Sequence, residues 1–411
     1  MKVAVYCQHV LGMGHLFRTL EIVAALAGHE CLLILGGPDT PAALPDGVRL
    51  VRLPPLAMDA DFQALTLAGP ALEAAKADRC TRLLAALAAF APDVFFVELY
   101  PFGRKAFEFE LLPALAAVRE GRFGRCRCVC GVRDILVEKK DQPAYEARVL
   151  DRLGRFFDAV CVHADPTLFP LSATFARAAE IPVPVVHTGY VAPAPAVVRP
   201  RPAVRRELGV ADGKTLIVAS AGGGKVGSQV LAAVLAGCRE DARLSRAALR
   251  VYSGPFCDEA AYAALVAAAG QLPDARVARF TDGFADVLRA ADLSVSLAGY
   301  NTVMGLLAAG CRGLVAPFDQ NREQRLRAER LAGLGLLGVL DPADLAPPVL
   351  AGRMVAALAG PPPPPGAIDL DGAPATARFL ESLAAEGVRE EGREPPAAKG
   401  QCPLETRLGS V

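Results

Sequence analysis

Four short stretches hold residues whose types and spacing could do chemistry. The first is Leu216-Ile-Val-Ala-Ser220-Ala-Gly222-Gly223-Gly224-Lys225-Val-Gly227-Ser228: an apolar run, then glycines, then a helical pattern. Glycines let backbone N–H groups approach phosphate oxygens, and the amino end of a helix favours negative charge. Lys225 would add a point charge. The spacing is not that of a Walker A loop, and a plain tight turn is the alternative reading. The second stretch, Ser296-Leu-Ala-Gly299-Tyr300-Asn301-Thr302-Val303, also joins an apolar run to a helical one. Asn301 and Thr302 stand where a helix cap belongs, and amides at the same turn could hold a phosphate. The third, Pro317-Phe-Asp319-Gln-Asn321-Arg322-Glu323-Gln324-Arg325-Leu-Arg327, is dense in polar groups that suit sugar hydroxyls or a solvated helix start.

The fourth stretch is Cys7-Gln8-His9-Val-Leu-Gly12-Met-Gly14-His15-Leu-Phe-Arg18. It lacks the third glycine of the dinucleotide fingerprint. His15 falls at a helix start, where a neutral imidazole could accept a proton, bind an acceptor or cap the helix. Glu98 and Asp134 each close an apolar run. Either could serve as a general base, or could pair structurally, Asp134 with Arg133 or Lys139 for instance.

The elements that must position these residues alternate between strand and helix patterns, which implies parallel sheets flanked by helices. Strands are expected at Val3–Cys7, Cys31–Leu35, Val94–Leu99, Cys126–Val132 and Ala159–His163, and again at Leu216–Ala219, Leu249–Ser253, Ala275–Arg279, Leu293–Ser296 and Leu314–Pro317. Helical spacing runs over His15–Leu26, Thr81–Phe90, Gln229–Gly237 and Val303–Ala309. Pro182 to Pro202 is rich in proline, as a stiff interdomain connection would be. The expected division is a first α/β domain over 1–190, a Pro-rich linker over 191–204, and a second α/β domain over 205–360. A proline spacer with one more helix, Ala375–Ala385, occupies 361–386, and a disordered tail is expected over 387–411.

With 411 residues, 53% of them hydrophobic, the chain can build two cores of about 150–200 residues each. Lys plus Arg and Asp plus Glu both number 44, a balance that argues against a nucleic-acid binder. The chain opens directly on a strand pattern, and its 11 cysteines are scattered, so reduced thiols and a cytoplasmic location are expected. Cys126, Cys128 and Cys130 alternate on one face of a strand and read as small buried hydrophobes. The uncharged stretch Leu293–Cys311 carries turn chemistry in its middle and reads as strand, loop and helix rather than a membrane span, which leaves a peripheral contact at the inner membrane face open. Asp59–Asp61 and Asp369–Asp371 fit a DxD pattern but follow no buried strand, so no metal ligand is assigned.

Taken together, the ordered segments resemble the MurG-like, glycosyltransferase family 28 branch of the GT-B enzymes, and within it a bacterial group of glycosyltransferases known from sequence. The segments are Gln8-His9-Val-Leu-Gly12-Met-Gly14-His15, Glu98-Leu-Tyr-Pro-Phe-Gly-Arg104, Val132-Arg133-Asp134-Ile-Leu-Val-Glu138-Lys139-Lys140, Thr188-Gly-Tyr190-Val, Ser220-Ala-Gly-Gly-Gly224 and Ala298-Gly-Tyr-Asn-Thr302-Val-Met304. The resemblance covers nearly all of residues 1–360. It implies two Rossmann-like doubly wound domains facing each other across a cleft, the first holding the acceptor and the second the nucleotide sugar, with a last helix crossing back to the first. It implies that Ser220, Gly222, Gly223 and Gly224 hold the diphosphate, that Phe280 and Phe284 flank the base, that Gly299, Tyr300, Asn301 and Thr302 complete the phosphate site, and that Glu323 and Gln324 meet the donor sugar. An acidic residue that usually holds the ribose is replaced here by Gly305.

The function expected on this basis is an inverting, metal-independent transfer of a hexose or N-acetylhexosamine from a nucleotide-diphosphate sugar, UDP-linked by preference, to a hydroxyl acceptor. The nucleotide sugar is a co-substrate, and no cofactor is called for. His15, Glu98 or Asp134 would take the proton, His15 first among them. The rival expectations are a nucleotide-sugar 2-epimerase on the same fold and a non-catalytic nucleotide-sugar binder, which Gly305 favours.

Overall fold

The computed structural model describes residues 1–9, 14–38, 42–56, 69–194, 198–318 and 322–391, the last with side chains to 386. Two parallel sheets dominate it. The first holds β1 (Lys2–Gln8), β2 (Glu30–Gly36), β3 (Arg49–Arg52), β4 (Val94–Glu98), β5 (Arg127–Arg133), β6 (Ala159–His163) and β7 (Val185–His187), in the order β3-β2-β1-β4-β5-β6-β7. The second holds β8 (Leu216–Ser220), β9 (Ala248–Tyr252), β10 (Ala275–Ala278), β11 (Leu293–Leu297), β12 (Gly313–Ala316) and β13 (Gly338–Val339), in the order β10-β9-β8-β11-β12-β13. The helices are α1 (Gly14–Ala25), α2 (Gly69–Phe90), α3 (Glu108–Arg119), α4 (Gln142–Phe156), α5 (Arg201–Glu207), α6 (Ser228–Glu240), α7 (Glu259–Ala269), α8 (Phe284–Ala290), α9 (Tyr300–Ala308), α10 (Arg322–Gly333), α11 (Pro347–Ala359) and α12 (Gly372–Glu391).

The central strands are continuous apolar runs because helices cover both of their faces. Val3 to Cys7, Val94 to Val97 and Leu216 to Ala219 are all buried. In both sheets the chain starts in the middle, winds outward on one side, then returns to wind the other way. That reversal falls between β1 and β4 in the first sheet and between β8 and β11 in the second. At such a switch point the connecting segments leave the carboxyl ends of neighbouring strands in opposite directions and open a crevice, the usual ligand position in this architecture. His15 follows β1 and Glu98 ends β4; Gly222–Gly224 follows β8 and Gly299 follows β11.

The proline-rich segment is shorter as a connection than the sequence suggests. β7 lies inside it as an edge strand, where Pro182 and Pro184 just precede the pairing and cost no ladder bond. Pro202 falls in the first turn of α5, where its missing N–H is not needed. Only the stretch between His187 and Arg201 links the sheets. Its first part is pinned: Tyr190 donates its N–H to Asp369 O at 2.8 Å and accepts from Gly372 N at 3.1 Å. From there α12 packs onto α1, with Ala373, Ala377 and Leu380 joining Leu16, Leu20 and Val23 in one apolar cluster. The helix expected over Ala375–Ala385 is thus longer at both ends and lies on the first domain.

The carboxyl edges of the two sheets face each other, and Tyr300 bridges them. It opens α9, is 6% exposed, accepts from Val191 N at 3.0 Å and donates to His163 O at 3.3 Å. Its ring lies 6.0 Å from that of Tyr190. Removing only the hydroxyl, in Tyr300→Phe, strands the buried Val191 N–H and should cost about 1–3 kcal/mol in urea unfolding. An unchanged midpoint would show that the bridge contributes nothing to stability.

Candidate functional site

On the first-domain side, α1 presents His15 and Arg18 one turn apart, on the same helix face. Both reach Glu98 at the end of β4. His15 Nδ1 lies 2.9 Å from Glu98 Oε1, and Arg18 pairs with the same oxygen. The same Nδ1 lies 3.1 Å from Arg18 Nη2, a donor that is already paired with Glu98; the shorter contact to the carboxylate, which only accepts, assigns the ring proton to Nδ1 and leaves Nε2 as the basic atom. Burial, followed by the Arg104 charge, pushes the imidazole down to about 3 against the pull of Glu98. Burial would raise Glu98, but Arg18 and then His15 outweigh it and hold the carboxyl at about 2. Glu98 is fully buried. It therefore orients His15 and is no base for a substrate, which corrects one of its sequence readings.

Asp134 is likewise removed from the candidate bases. It is 1% exposed and held by Arg327 of α10 through two bonds of 2.7 and 2.8 Å. Burial disfavours the Arg327 charge, but the Asp134 carboxylate outweighs this and lifts the Arg327 pKa above its ordinary value. The partner is neither Arg133 nor Lys139, as the sequence reading suggested. Arg133 instead takes Glu323, with Nη1 2.7 Å from Oε1. Residues 133 and 134 at the end of β5 thus meet residues 323 and 327, one turn apart on α10, with charges reversed. In this conformation Glu323 belongs to the domain contact and is not free to meet a sugar. Its neighbour Gln324 accepts from Phe318 N at 3.2 Å and stays partly exposed.

On the second-domain side, the glycine loop is built as a support for close approach. Gly222 and Gly224 have φ of 59° and 88°, a region open chiefly to glycine. A Cβ on Gly224 would strike Ser253 O at 2.5 Å, whereas one on Gly223 would meet only the Phe256 ring at 3.9 Å. Gly223 therefore has open space on its Cα side, while its carbonyl accepts from Phe256 N at 3.0 Å. Ser220 is buried and its hydroxyl has no partner within the protein. Lys225 is exposed beside Phe256, its Nζ 5.9 Å from the ring centre.

The two helices that start here are uncapped. α6 begins after Gly227 and α9 after Gly299, and neither has a side-chain cap. Elsewhere Asp141 caps α4 and Asp258 caps α7. The first amides of α6 and α9 remain available for an anion. Asn301 is not a cap, contrary to one reading of the sequence: its Nδ2 donates 2.9 Å across the crevice to Gly14 O, next to His15. Thr302 makes no cap either and lies half-buried with its Oγ1 near Gly299. Tyr300, expected in the phosphate site, turns its side chain into the domain contact.

Two aromatic assignments change. Phe284 packs edge-on against Tyr252 at 5.5 Å, inside the second domain. Phe280 stacks on Phe17 of α1 at 6.4 Å, so its ring spans the two domains. Gly305 is buried, and a Cβ there would touch Leu288 at 3.5 Å and Pro193 at 3.6 Å. The interdomain segment thus fills the space beside the position where a carboxylate was expected. Gly12, Asp59–Asp61, Asp319, Asn321 and the tail from 392 lie outside the described residues. Cys126, Cys128 and Cys130 are buried in the first-domain core, and burial raises their thiols. Among the described residues no group of three or more His, Cys, Asp or Glu side chains is placed to hold a metal ion, and no helix is long and apolar enough to cross a membrane.

Residues 219–356 match the family model described as the glycosyltransferase family 28 C-terminal domain. No curated protein matches the chain. Among solved structures, the calicheamicin glycosyltransferase CalG4 aligns over 96% of this chain and 99% of its own, at 17% identity and a TM-score of 0.55. MurG of Acinetobacter baumannii aligns over 94% of this chain and 99% of its own, at 16% identity and a TM-score of 0.51. A UDP-glucosyltransferase from Polygonum tinctorium aligns over 93% and 98%, at 14% identity and a TM-score of 0.56. The likeness to these structures shows that the chain has the GT-B fold. The family 28 match lies within the second domain.

Sequence reasoning assigned no role to Arg18, Arg104 or Arg327, and offered Arg133 only as a partner for Asp134. The spacing of His15 and Arg18 was the one available signal; Arg133 and Arg327 act on partners far away in the chain. The site's buried histidines also set a pH dependence. Burial holds His9 at about 4 and His15 and His163 at about 3, below the ordinary 6.5. The unfolded chain takes up protons from about pH 6.5 downward while the folded chain does not, so stability falls as pH drops toward about 4. Glu98 adds to the loss below its ordinary 4.5, down to about 2. A urea midpoint that stays constant between about pH 7 and about pH 4 would contradict this.

Proposed function

We propose that the chain transfers a hexose or N-acetylhexosamine from a nucleoside-diphosphate sugar, UDP-linked by preference, to an acceptor hydroxyl, inverting the anomeric centre and needing no bound metal. The observation that carries this reading is the His15–Glu98 pair, set across a crevice from two uncapped helix ends.

In this scheme the nucleotide lies on the second domain. The amides of Gly222 and Gly223 and those at the starts of α6 and α9 hold the diphosphate, Gly224 closes the turn through its N–H to Ala221 O at 3.2 Å, and Lys225 faces the outer phosphate oxygens. The acceptor hydroxyl lies against the first domain beside His15 Nε2. Its oxygen forms a bond to the anomeric carbon as the bond from that carbon to the phosphate oxygen breaks. The hydroxyl proton passes to Nε2, and the resulting imidazolium is stabilised by Glu98 through Nδ1. Glu98 is already ionised, so no proton need leave it. The leaving diphosphate takes up negative charge where the backbone donors are fixed in advance, and each such contact is worth about 3–4 kcal/mol of barrier. A single displacement from one face inverts the centre.

The contacts Arg133–Glu323, Asp134–Arg327 and Phe17–Phe280 describe a closed domain arrangement, which excludes water as a competing acceptor. Opening them would admit substrates. The packing of Gly305 against Pro193 leaves the ribose without a carboxylate on α9, so donor recognition rests more heavily on the diphosphate.

Two variants test the two halves of the site. His15→Gln should lower kcat by about 100- to 10,000-fold while leaving donor affinity unchanged. Gly223→Trp, whose side chain has room to enter the crevice, should weaken UDP binding by at least tenfold in calorimetry, while the thermal midpoint in the absence of nucleotide stays near wild type. Equal UDP affinity in both proteins would remove the glycine loop from the donor site. Donor incubated alone separates the rivals: a product inverted at C2 identifies an epimerase, and binding without transfer to any extract identifies a non-catalytic binder.

A further inference from the structure

The loop after β4 ends in Arg104, whose side chain the reaction scheme above does not use. The side chain is partly exposed, but its Nε and Nη2 are buried and make no hydrogen bond among the described residues. The other arginines around the crevice all have carboxylates: Arg18 has Glu98, Arg133 has Glu323 and Arg327 has Asp134. Arg104 has none among the described residues. A guanidinium stays charged at any physiological pH, and a buried unpaired charge is costly to keep. The backbone is also held in an unfavourable state there. Arg104 has φ of 61°, and Leu99 at the start of the same loop has φ of 69°. Such conformations persist in non-glycine residues only where the surroundings enforce them, and they cluster where a side chain must be presented.

The position of the charge fixes what it faces. The Arg104 charge bears on His15, His9, Cys7 and Glu98, all at the carboxyl edge of β1 and β4, on Arg133 at the end of β5, and on Lys139 after it. Lys139 is exposed and close enough to feel the Arg104 charge. The first-domain wall beside the basic nitrogen of His15 is therefore cationic, and among the described residues the carboxylates beside it are already paired: Glu98 with Arg18 and His15, Glu323 with Arg133, and Asp134 with Arg327.

We propose that the acceptor carries an anionic group, a phosphate or a carboxylate, which Arg104 binds next to the reacting hydroxyl. This rests on the glycosyltransferase reading, because it takes the first-domain wall as the acceptor side. The anion supplies the counter-charge that the protein lacks, and the planar guanidinium suits either group through two parallel bonds. Lys139 adds a second positive charge at the rim. Neutral sugars or phenols of the same size would leave Arg104 unpaired and would be poor acceptors.

The experiment uses full-length protein saturated with UDP, so that added anions cannot occupy the donor phosphate site. Inorganic phosphate, acetate and chloride are compared at equal ionic strength by thermal unfolding, in wild type, Arg104→Gln and Arg104→Lys. Wild type should gain a few degrees with phosphate or acetate over chloride. The gain should vanish in Arg104→Gln and return in part in Arg104→Lys. In chloride, Arg104→Gln should be at least as stable as wild type. The larger gain between phosphate and acetate assigns the anion. An equal gain in wild type and Arg104→Gln, or no gain in wild type, overturns the proposal. So does an Arg104→Gln protein several degrees less stable in chloride, since the guanidinium would then already be paired inside the protein. Failure of UDP itself to stabilise wild type would count against the glycosyltransferase reading and is read separately from the anion arms.

Discussion

Tyr300 is the residue on which the arrangement of the site depends. It is the first residue of α9, and its hydroxyl is held by Val191 N and His163 O on the other side of the crevice. The guanidinium groups of Arg18 and Arg327 lie 5.3 and 5.1 Å from its ring centre. One side chain therefore fixes the amino end of a helix from the second domain against the strand ends of the first. It also lies between the two charged systems of the crevice. Arg18 carries the link onward to Glu98 and His15, and Arg327 carries it to Asp134. The uncapped end of α9 is placed opposite His15 by packing and hydrogen bonding rather than by chain connectivity.

The charges around this bridge set orientation more than they add stability. Taking an ion pair out of water costs nearly as much as the pair returns, while breaking it leaves an expensive orphan. Asp134–Arg327 and Arg133–Glu323 share two elements with reversed polarity, so a slip of one helical turn along α10 would bring like charges together. Such a pattern selects one closed register among many. It also places the titratable groups of the first domain in a dry setting, where Glu98 stays ionised and His15 stays neutral.

How much of this was legible in the sequence depended on how local the signal was. Ser220 to Gly224 and Gly299 to Thr302 announced themselves because a strand, a turn and a helix follow one another within a dozen residues. The edge strands β3 and β13 were missed because both are short and only partly buried, so neither shows the apolar run of a central strand. β7 was hidden by the prolines around it. The start of α2 was placed too late because its first turns are alanine-rich and face solvent, which leaves no apolar stripe to read. Glu98 and Asp134 were picked out as strand-end carboxylates, which the structure shows them to be. Their roles depended on Arg18 and Arg327, 80 and 193 residues away, and no spacing rule connects such pairs. Asn301 looked like a cap and proved to be a contact across the crevice, because the cap position had already been taken by Gly299.

The most direct test of the account is a crystal structure of the protein with an intact, slowly reacting nucleoside-diphosphate sugar. The account requires the diphosphate oxygens within hydrogen-bonding distance of the backbone amides of Gly222 or Gly223 and of those at the start of α9, with the anomeric carbon facing His15 Nε2. A nucleotide bound elsewhere, or one in the crevice with those amides untouched and His15 turned away from the sugar, would contradict it.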